Sequence, residues 1–303
     1  MIDGSKTMKK ARYLLEFIFI LPFIKFIQLF PIWLASNICG FLVKHLFYFA
    51  GKFTKDNEKG LRHISMVFPL LTHKEKVKIL KSSYQNIGRF IGEYVNQHKM
   101  NAKWFKKNVQ IINEKYMLEQ VKKGCFAFTC HFGNWEIMQR YLMLHGINLS
   151  VIYNPLQNPY TNKMYLKQRE VNQVAKGGGA MRQLLSLIKQ KKSMGILIDQ
   201  RDKTGELFKF FNHNAKTSTA IQRLCVKHNY KMLPLRCERS IKNGNKFIFT
   251  AFPTLEILKE NKTEDELIAE LTNKSIRVIE NWIMESPSNW LLWTYSRWRT
   301  KFN

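Results

Sequence analysis

The spacing of apolar residues changes along the chain, and each change marks a boundary. Residues 13–50 are almost continuously apolar, YLLEFIFILPFIKFIQLFPIWLASNICGFLVKHLFYFA. Residues 26–43 carry no charge at all, which reaches the lower end of what crosses a bilayer core, although Gln28 and Asn37 interrupt the run and Pro31 is placed to kink it. The region is too long for a signal peptide, and no small-residue cleavage pattern follows. From residue 72 the pattern becomes amphipathic. Thr72 and Glu75 have the spacing of a capping box, and Val77, Leu80, Tyr84, Ile87, Ile91 and Tyr94 keep to one helical face, predicting a helix over 72–95.

Beyond Gly124 short apolar runs alternate with amphipathic ones. CFAFTC reads as a buried strand, NWEIMQRYLML as a helix stopped by Gly146, and INLSVIY as a second strand. AMRQLLSLIKQ is helical, SMGILID a strand, STAIQRLCVKH helical, and YKMLPLRCE and KFIFTAFP strands. A last helix starts near Thr263, with Glu266 completing another capping box and Leu267, Leu271, Val278 and Trp282 on its apolar side. This alternation predicts an α/β fold: a mostly parallel, mixed sheet flanked by helices. The expected organisation is an N-terminal anchor, residues 1–50, followed by one domain, residues 51–303.

Charge adds partners to this picture. With 49 Lys and Arg against 22 Asp and Glu, the net charge is +27, so the folded surface attracts polyanions: nucleic acid, anionic headgroups or an acidic carrier protein. Lys6, Lys9, Lys10 and Arg12 precede the apolar segment and Lys52, Lys55, Lys59 and Arg62 follow it. Basic flanks on both sides give no orientation by the positive-inside rule and suit an anchor lying in, or dipping into, an anionic leaflet as well as a span. A buried helical hairpin satisfies the same apolar pattern. The five cysteines form no C-x-x-C pair and no metal-ligand spacing, which points to a reducing compartment. No Walker A loop or G-x-G-x-x-G is present, so the commonest nucleotide sites are excluded.

Candidate chemistry lies in TCHFGNWEIMQR, residues 129–140. On one continuous helix His131 and Glu136 would sit about 140° apart and fail to converge. Gly133 permits a break and Asn134 is a suitable N-cap, so His131 can end the strand while Glu136 occupies the first turn of the next helix and bends back. A neutral imidazole can then take a proton from an attacking hydroxyl, with the carboxylate on its other nitrogen fixing the tautomer. No serine stands where a nucleophile would, so the attacking group is a substrate hydroxyl. Cys130 is a rival nucleophile, but adjacent residues on a strand face opposite ways.

HFGNWE closely resembles the H-x-x-x-x-E/D motif of glycerolipid acyltransferases, and the whole hexapeptide resembles the lipid A biosynthesis acyltransferases, the lauroyl and myristoyl transferases. Further blocks are similar in order: LRHISMVFPLLTHKEK; Tyr153 with NPLQNPY and Arg169; ILIDQRD with FKFFNHNAKTSTA; and the ending NWLLWTYSRWR. The likeness runs from about residue 10 to the end. Two departures stand out: His63 where the family usually has Asn, and Asn212 where it usually has Gly after the paired phenylalanines. Asn tolerates the left-handed backbone for which Gly is chosen.

The resemblance implies a glycerolipid acyltransferase-like fold behind an N-terminal membrane anchor. It implies acyl transfer from acyl carrier protein to a hydroxyl of a lipid A precursor at the cytoplasmic face of a bacterial inner membrane. His131 is then the base and Glu136 its partner, with Arg169, Asp199 and Asn134 as further candidates for substrate or oxyanion contact. No metal or cofactor is implied, acyl carrier protein acting as co-substrate. The implied partners are that carrier, the lipid precursor and an anionic membrane surface, with no nucleic acid. Related readings are acylation of a lysophospholipid, another glycolipid or an amino-acid lipid, or use of acyl-CoA. From another class, a non-catalytic basic binder would use the aromatic and arginine cluster at Trp290, Trp293, Tyr295, Trp298, Arg297 and Arg299. Lys176 and residues 177–179, ahead of a helix, can present N–H groups to a phosphate.

Overall fold

The computed structural model describes residues 4–169, 171–240, 242–257, 260–295 and 297–298; Arg299 lies outside them. The apolar N-terminus forms two helices, α1 (Gly4–Gln28) and α2 (Ile32–Ala50). The uncharged run 26–43 is therefore not one helix. Pro31, which has no N–H to donate, sits at the N-cap of α2, and the Lys99 ammonium satisfies the carbonyl of Phe30 (2.9 Å) in the break. By length and composition α2 alone among the described helices suffices to cross a membrane. Both helices leave large apolar side chains exposed, among them Leu15, Phe19, Phe26, Phe41 and Leu46.

Helices α3 (Asp56–Val67) and α4 (His73–Tyr94) follow, the latter opened by the expected Thr72–Glu75 capping box. α2 packs closely on α4 because Gly88 faces the backbone of Cys39, where a Cβ would stand 2.2 Å from the carbonyl oxygen. Next come α5 (Ala102–Asn108), β1 (Val109–Ile112), α6 (Glu114–Lys123) and β2 (Cys125–Thr129). The middle of the chain holds α7 (Glu136–Leu144), β3 (Ser150–Tyr153), α8 (Pro159–Arg169), β4 (Gln173–Ala175), α9 (Ala180–Lys189) and β5 (Met194–Leu197). A hairpin of β6 (Glu206–Phe210) and β7 (His213–Thr217) precedes α10 (Ala220–His228), β8 (Lys231–Arg239), β9 (Phe247–Ala251) and α11 (Glu264–Glu285).

Seven strands form one sheet in the order β1-β9-β8-β2-β5-β3-β4, parallel throughout except for the β8–β9 pair. The expected mixed, mostly parallel α/β sheet is present, with helices on both faces. Its central strand β2 is buried over its full length and sends alternate residues to opposite sides. Phe126 and Phe128 join Leu184, Ile221 and Ile279 in one core, whereas Cys125 and Ala127 join Met117, Met138 and Leu142 in the other. Each such phenylalanine stabilises the fold by about 2–3 kcal/mol through burial. The β6–β7 hairpin was not read from the sequence. Its turn holds Phe211 and Asn212 at φ of 49° and 61°, the geometry of a two-residue hairpin loop, so Asn212 does take the left-handed backbone.

Candidate active site

β2 ends at Thr129 and β5 at Leu197, and these two residues are paired in register. Two residues further along each strand stand His131 and Asp199, so the parallel pairing carries them to the same place at the carboxyl edge of the sheet. His131 Nδ1 donates to Asp199 Oδ1 (2.8 Å), and the His131 backbone N–H donates to Oδ2 (2.9 Å). The Trp290 indole N–H is a third donor, also to Oδ2 (2.8 Å). Asp199 is fully buried. Burial raises its pKa, but the imidazole charge and these hydrogen bonds outweigh that effect and hold the carboxyl below its ordinary value. His131 is partly open to solvent.

The carboxylate on the imidazole is thus Asp199 and not Glu136, correcting the sequence-based pairing. Asn134 is not the helix cap either. Trp135 occupies that place in helical geometry, so the backbone turns before Asn134 can cap and Glu136 enters the helix facing away toward α8. Glu136 accepts from Arg169 Nε (3.1 Å), the Tyr165 hydroxyl (2.9 Å) and Trp135 Nε1 (3.1 Å), and forms closer contacts with Arg169 Nη2 and Gln139. Burial lowers the arginine's pKa, but Glu136 more than compensates and the net shift is upward. Arg169 Nη1 is buried with no hydrogen-bond partner among the described residues. Trp135 joins the two groups: its ring packs edge-on against His131 (4.8 Å between centroids) while its N–H reaches Glu136. Glu136 and Arg169 also line a small apolar cavity of about 50 Å³ between the sheet and α7, walled by Met138, Leu142, Leu149 and Leu235.

Asn134 has a different partner. Its amide donates to Glu93 Oε2 (2.7 Å), and Glu93 also accepts from Ser36 Oγ (2.6 Å) and forms a two-pronged ion pair with Arg239. All four residues are buried. The motif loop is thereby tied to α2, α4 and β8. Gly133, at φ 58°, lets the loop pass against β8, where a Cβ would lie 2.1 Å from the Cys237 carbonyl oxygen.

The C-terminal segment straps the loop from the other side. Gly133 N–H donates to the Asn289 carbonyl (2.9 Å) and Leu291 N–H to that of His131 (2.9 Å), flanking a bridge between Phe132 and Trp290. His63, packed on the Trp298 ring, donates from Nδ1 to the Trp293 carbonyl (2.7 Å) and so pins this strap. Trp290, Trp293 and Trp298 are almost entirely buried, which removes them as a stacking platform for bases. Cys130 is fully buried and its thiol pKa is pushed well up by desolvation and then by Asp199, so it stays protonated and is no nucleophile.

Sequence reasoning missed Trp135, Tyr165 and the Glu93–Arg239 pair, and it placed Trp290 in a stacking cluster rather than on Asp199. For His131 and Asp199 a signal existed: each lies two residues past a short apolar run. For Glu93 and Arg239 none did, since each reads as one more surface charge.

The family model described as bacterial lipid A biosynthesis acyltransferase matches residues 1–300. No curated protein matches the sequence. Among solved structures, the 1-acyl-sn-glycerophosphate (LPA) acyltransferase PlsC from Thermotoga maritima is similar at 16% identity, covering 82% of this chain and 97% of that one, with a TM-score of 0.38. At that distance neither its activity nor its site transfers.

Proposed function

The chain belongs to the bacterial lipid A biosynthesis acyltransferases, and we propose that it moves a fatty acyl group from acyl carrier protein to a hydroxyl of a lipid A precursor, using His131 as base. The observation that carries this reading is the His131–Asp199 contact. With Nδ1 donating to Asp199, Nε2 is left as the acceptor nitrogen, and the buried carboxylate stabilises the imidazolium that forms. The acceptor hydroxyl gives its proton to Nε2 as its oxygen attacks the thioester carbonyl. The tetrahedral oxyanion then collapses, the C–S bond breaks, and the imidazolium returns the proton to the leaving sulfur.

Arg169 is the candidate for the oxyanion. Its cation is fixed by Glu136 and Tyr165, and its buried Nη1 group remains unused. Glu136 is then a positioning residue for Arg169. Asn134 holds the loop through Glu93 and is not a substrate contact in this reading. Residues 1–50 act as the membrane anchor of an acyltransferase domain over 51–303, at the cytoplasmic face of the inner membrane. The exposed apolar side chains of α1 and α2 support that role, and the net charge of +27 suits anionic headgroups and an acidic carrier. No resident cofactor or metal is part of the scheme.

The test is transfer of a radiolabelled acyl chain by the purified full chain, with acyl carrier protein and coenzyme A thioesters compared as donors. Wild type is expected to acylate the lipid A precursor from the carrier-bound donor, and His131→Ala is expected to lose transfer while staying folded. Turnover in folded His131→Ala at the wild-type rate overturns the base assignment. Unchanged lipid A in mass spectra of cells lacking the protein overturns the acceptor.

A further inference from the structure

Beside the His131–Asp199 pair, where the chain leaves β5, lies a second and larger cavity of about 530 Å³, in the range of small-molecule sites. It opens at the carboxyl ends of β3 and β5, and both chain neighbours of Asp199, Ile198 and Gln200, line it. Aliphatic side chains line much of the rest, and its charged residues are Lys176, Arg201, Lys203 and Asp202. The one acid is already engaged: Asp202 accepts from Thr204 N–H (2.9 Å) and Oγ1 (2.8 Å). The cations are not. Arg201 Nε is buried with no hydrogen-bond partner, and neither Arg201 nor Lys176 forms an ion pair among the described residues. Lys176 reaches solvent, yet the walls around it strip enough water to lower its pKa, with Asp202 and Asp199 as opposing charges. The cavity also includes Gly177 and Ala180, at the start of α9, whose dipole favours an anion.

We propose that this cavity holds a phosphate monoester carried by the acceptor, together with the sugar that bears it, and so places the acceptor hydroxyl against His131. The inference rests on the acyltransferase reading of the adjacent pair. Three cations against one engaged acid around an open cleft favour a dianion, and the volume exceeds what a phosphate alone would fill. A donor phosphodiester fits the position less well. It sits at the far end of a pantetheine arm, many bonds from the thioester, whereas this cavity begins one residue from the group that orients the base.

Two measurements test the proposal. In the first, the full chain in detergent is titrated calorimetrically with glucosamine 1-phosphate and with glucosamine, using wild type, the Lys176→Gln/Arg201→Gln double variant and a remote-charge control, Lys103→Gln/Lys107→Gln. Binding of the phosphorylated sugar alone, weakened about 10-fold or more in the double variant and kept in the control, is expected. Equal binding by wild type and double variant overturns the site whether or not the chain acylates lipid A. In the second, KM for a phosphorylated acceptor should rise about 10-fold or more in the double variant, with kcat and donor KM little changed. A rise confined to the KM of the carrier-bound donor, absent with a short N-acetylcysteamine thioester, would assign the cavity to the donor and refute the proposal. Loss of acceptor acylation with sugar-phosphate binding intact would instead count against the acyltransferase reading.

Discussion

Replacing Asp199 with asparagine changes no shape and one donor. In the native protein Oδ2 meets two fixed N–H groups, from the His131 backbone (2.9 Å) and Trp290 (2.8 Å), while Oδ1 meets His131 Nδ1 (2.8 Å). In the Asp199→Asn variant the side-chain amide oxygen must take the Oδ2 place, because only an acceptor satisfies both donors. Its NH2 then faces Nδ1, and the imidazole avoids a donor–donor clash by moving its proton to Nε2. An Nε2–H cannot accept the hydroxyl proton, and the imidazolium loses its counter-charge. For a His–carboxylate pair this change costs on the order of 10⁴ in kcat, or about 5 kcal/mol of barrier at about 1.4 kcal/mol per decade. Stability should fall by only about 1–2 kcal/mol, since the two backbone and indole hydrogen bonds persist. The assay is single-turnover acyl transfer from carrier-bound donor, with urea denaturation of the same preparation as the folding control. A folded Asp199→Asn protein within about tenfold of the wild-type rate would refute the reasoning that Asp199 sets the tautomer.

Two further outcomes follow from buried partners. Burial holds the His63 pKa below its ordinary 6.5, partly offset by the Trp293 carbonyl, so the folded state favours the neutral ring. The associated stability is present above pH 6.5 and is lost as pH falls toward the folded value. His63→Asn keeps a donor for the carbonyl without a titrating group, and its denaturation midpoint should stay flat over that window; a slope equal to that of wild type would contradict this. Glu93→Gln leaves the Arg239 guanidinium buried without its counter-ion and should lower stability by about 3–5 kcal/mol in equilibrium unfolding. An unchanged midpoint would mean that the pair does not brace the motif loop.

The helices over 73–94 and 264–285 were legible because each begins with a Thr and a Glu three residues on, a signal confined to one turn. Five strands of the sheet were legible because a sheet covered on both faces demands unbroken apolar runs such as CFAFT and MGIL, whereas the edge strands β1 and β4, half exposed, were not read. The hairpin at 206–217 was missed because its strands are largely exposed, so no apolar run or alternation marks them. His131 could be singled out because it stands where a buried apolar run gives way to Gly133, Asn134 and the start of a helix.

Its partner could not be fixed the same way. Local geometry allowed a carboxylate five residues away to turn back, and nothing in the sequence forbade it. Pairing of β2 with β5 brought a carboxylate from 68 residues away instead, and the bend before Trp135 sent Glu136 to Arg169. The chain alone therefore marked the central strands, the capped helices and a candidate base, because caps, runs and turns act within a few residues. Tertiary structure decided which acid serves which cation, because strand register and helix docking set distances between residues that sequence separation leaves free.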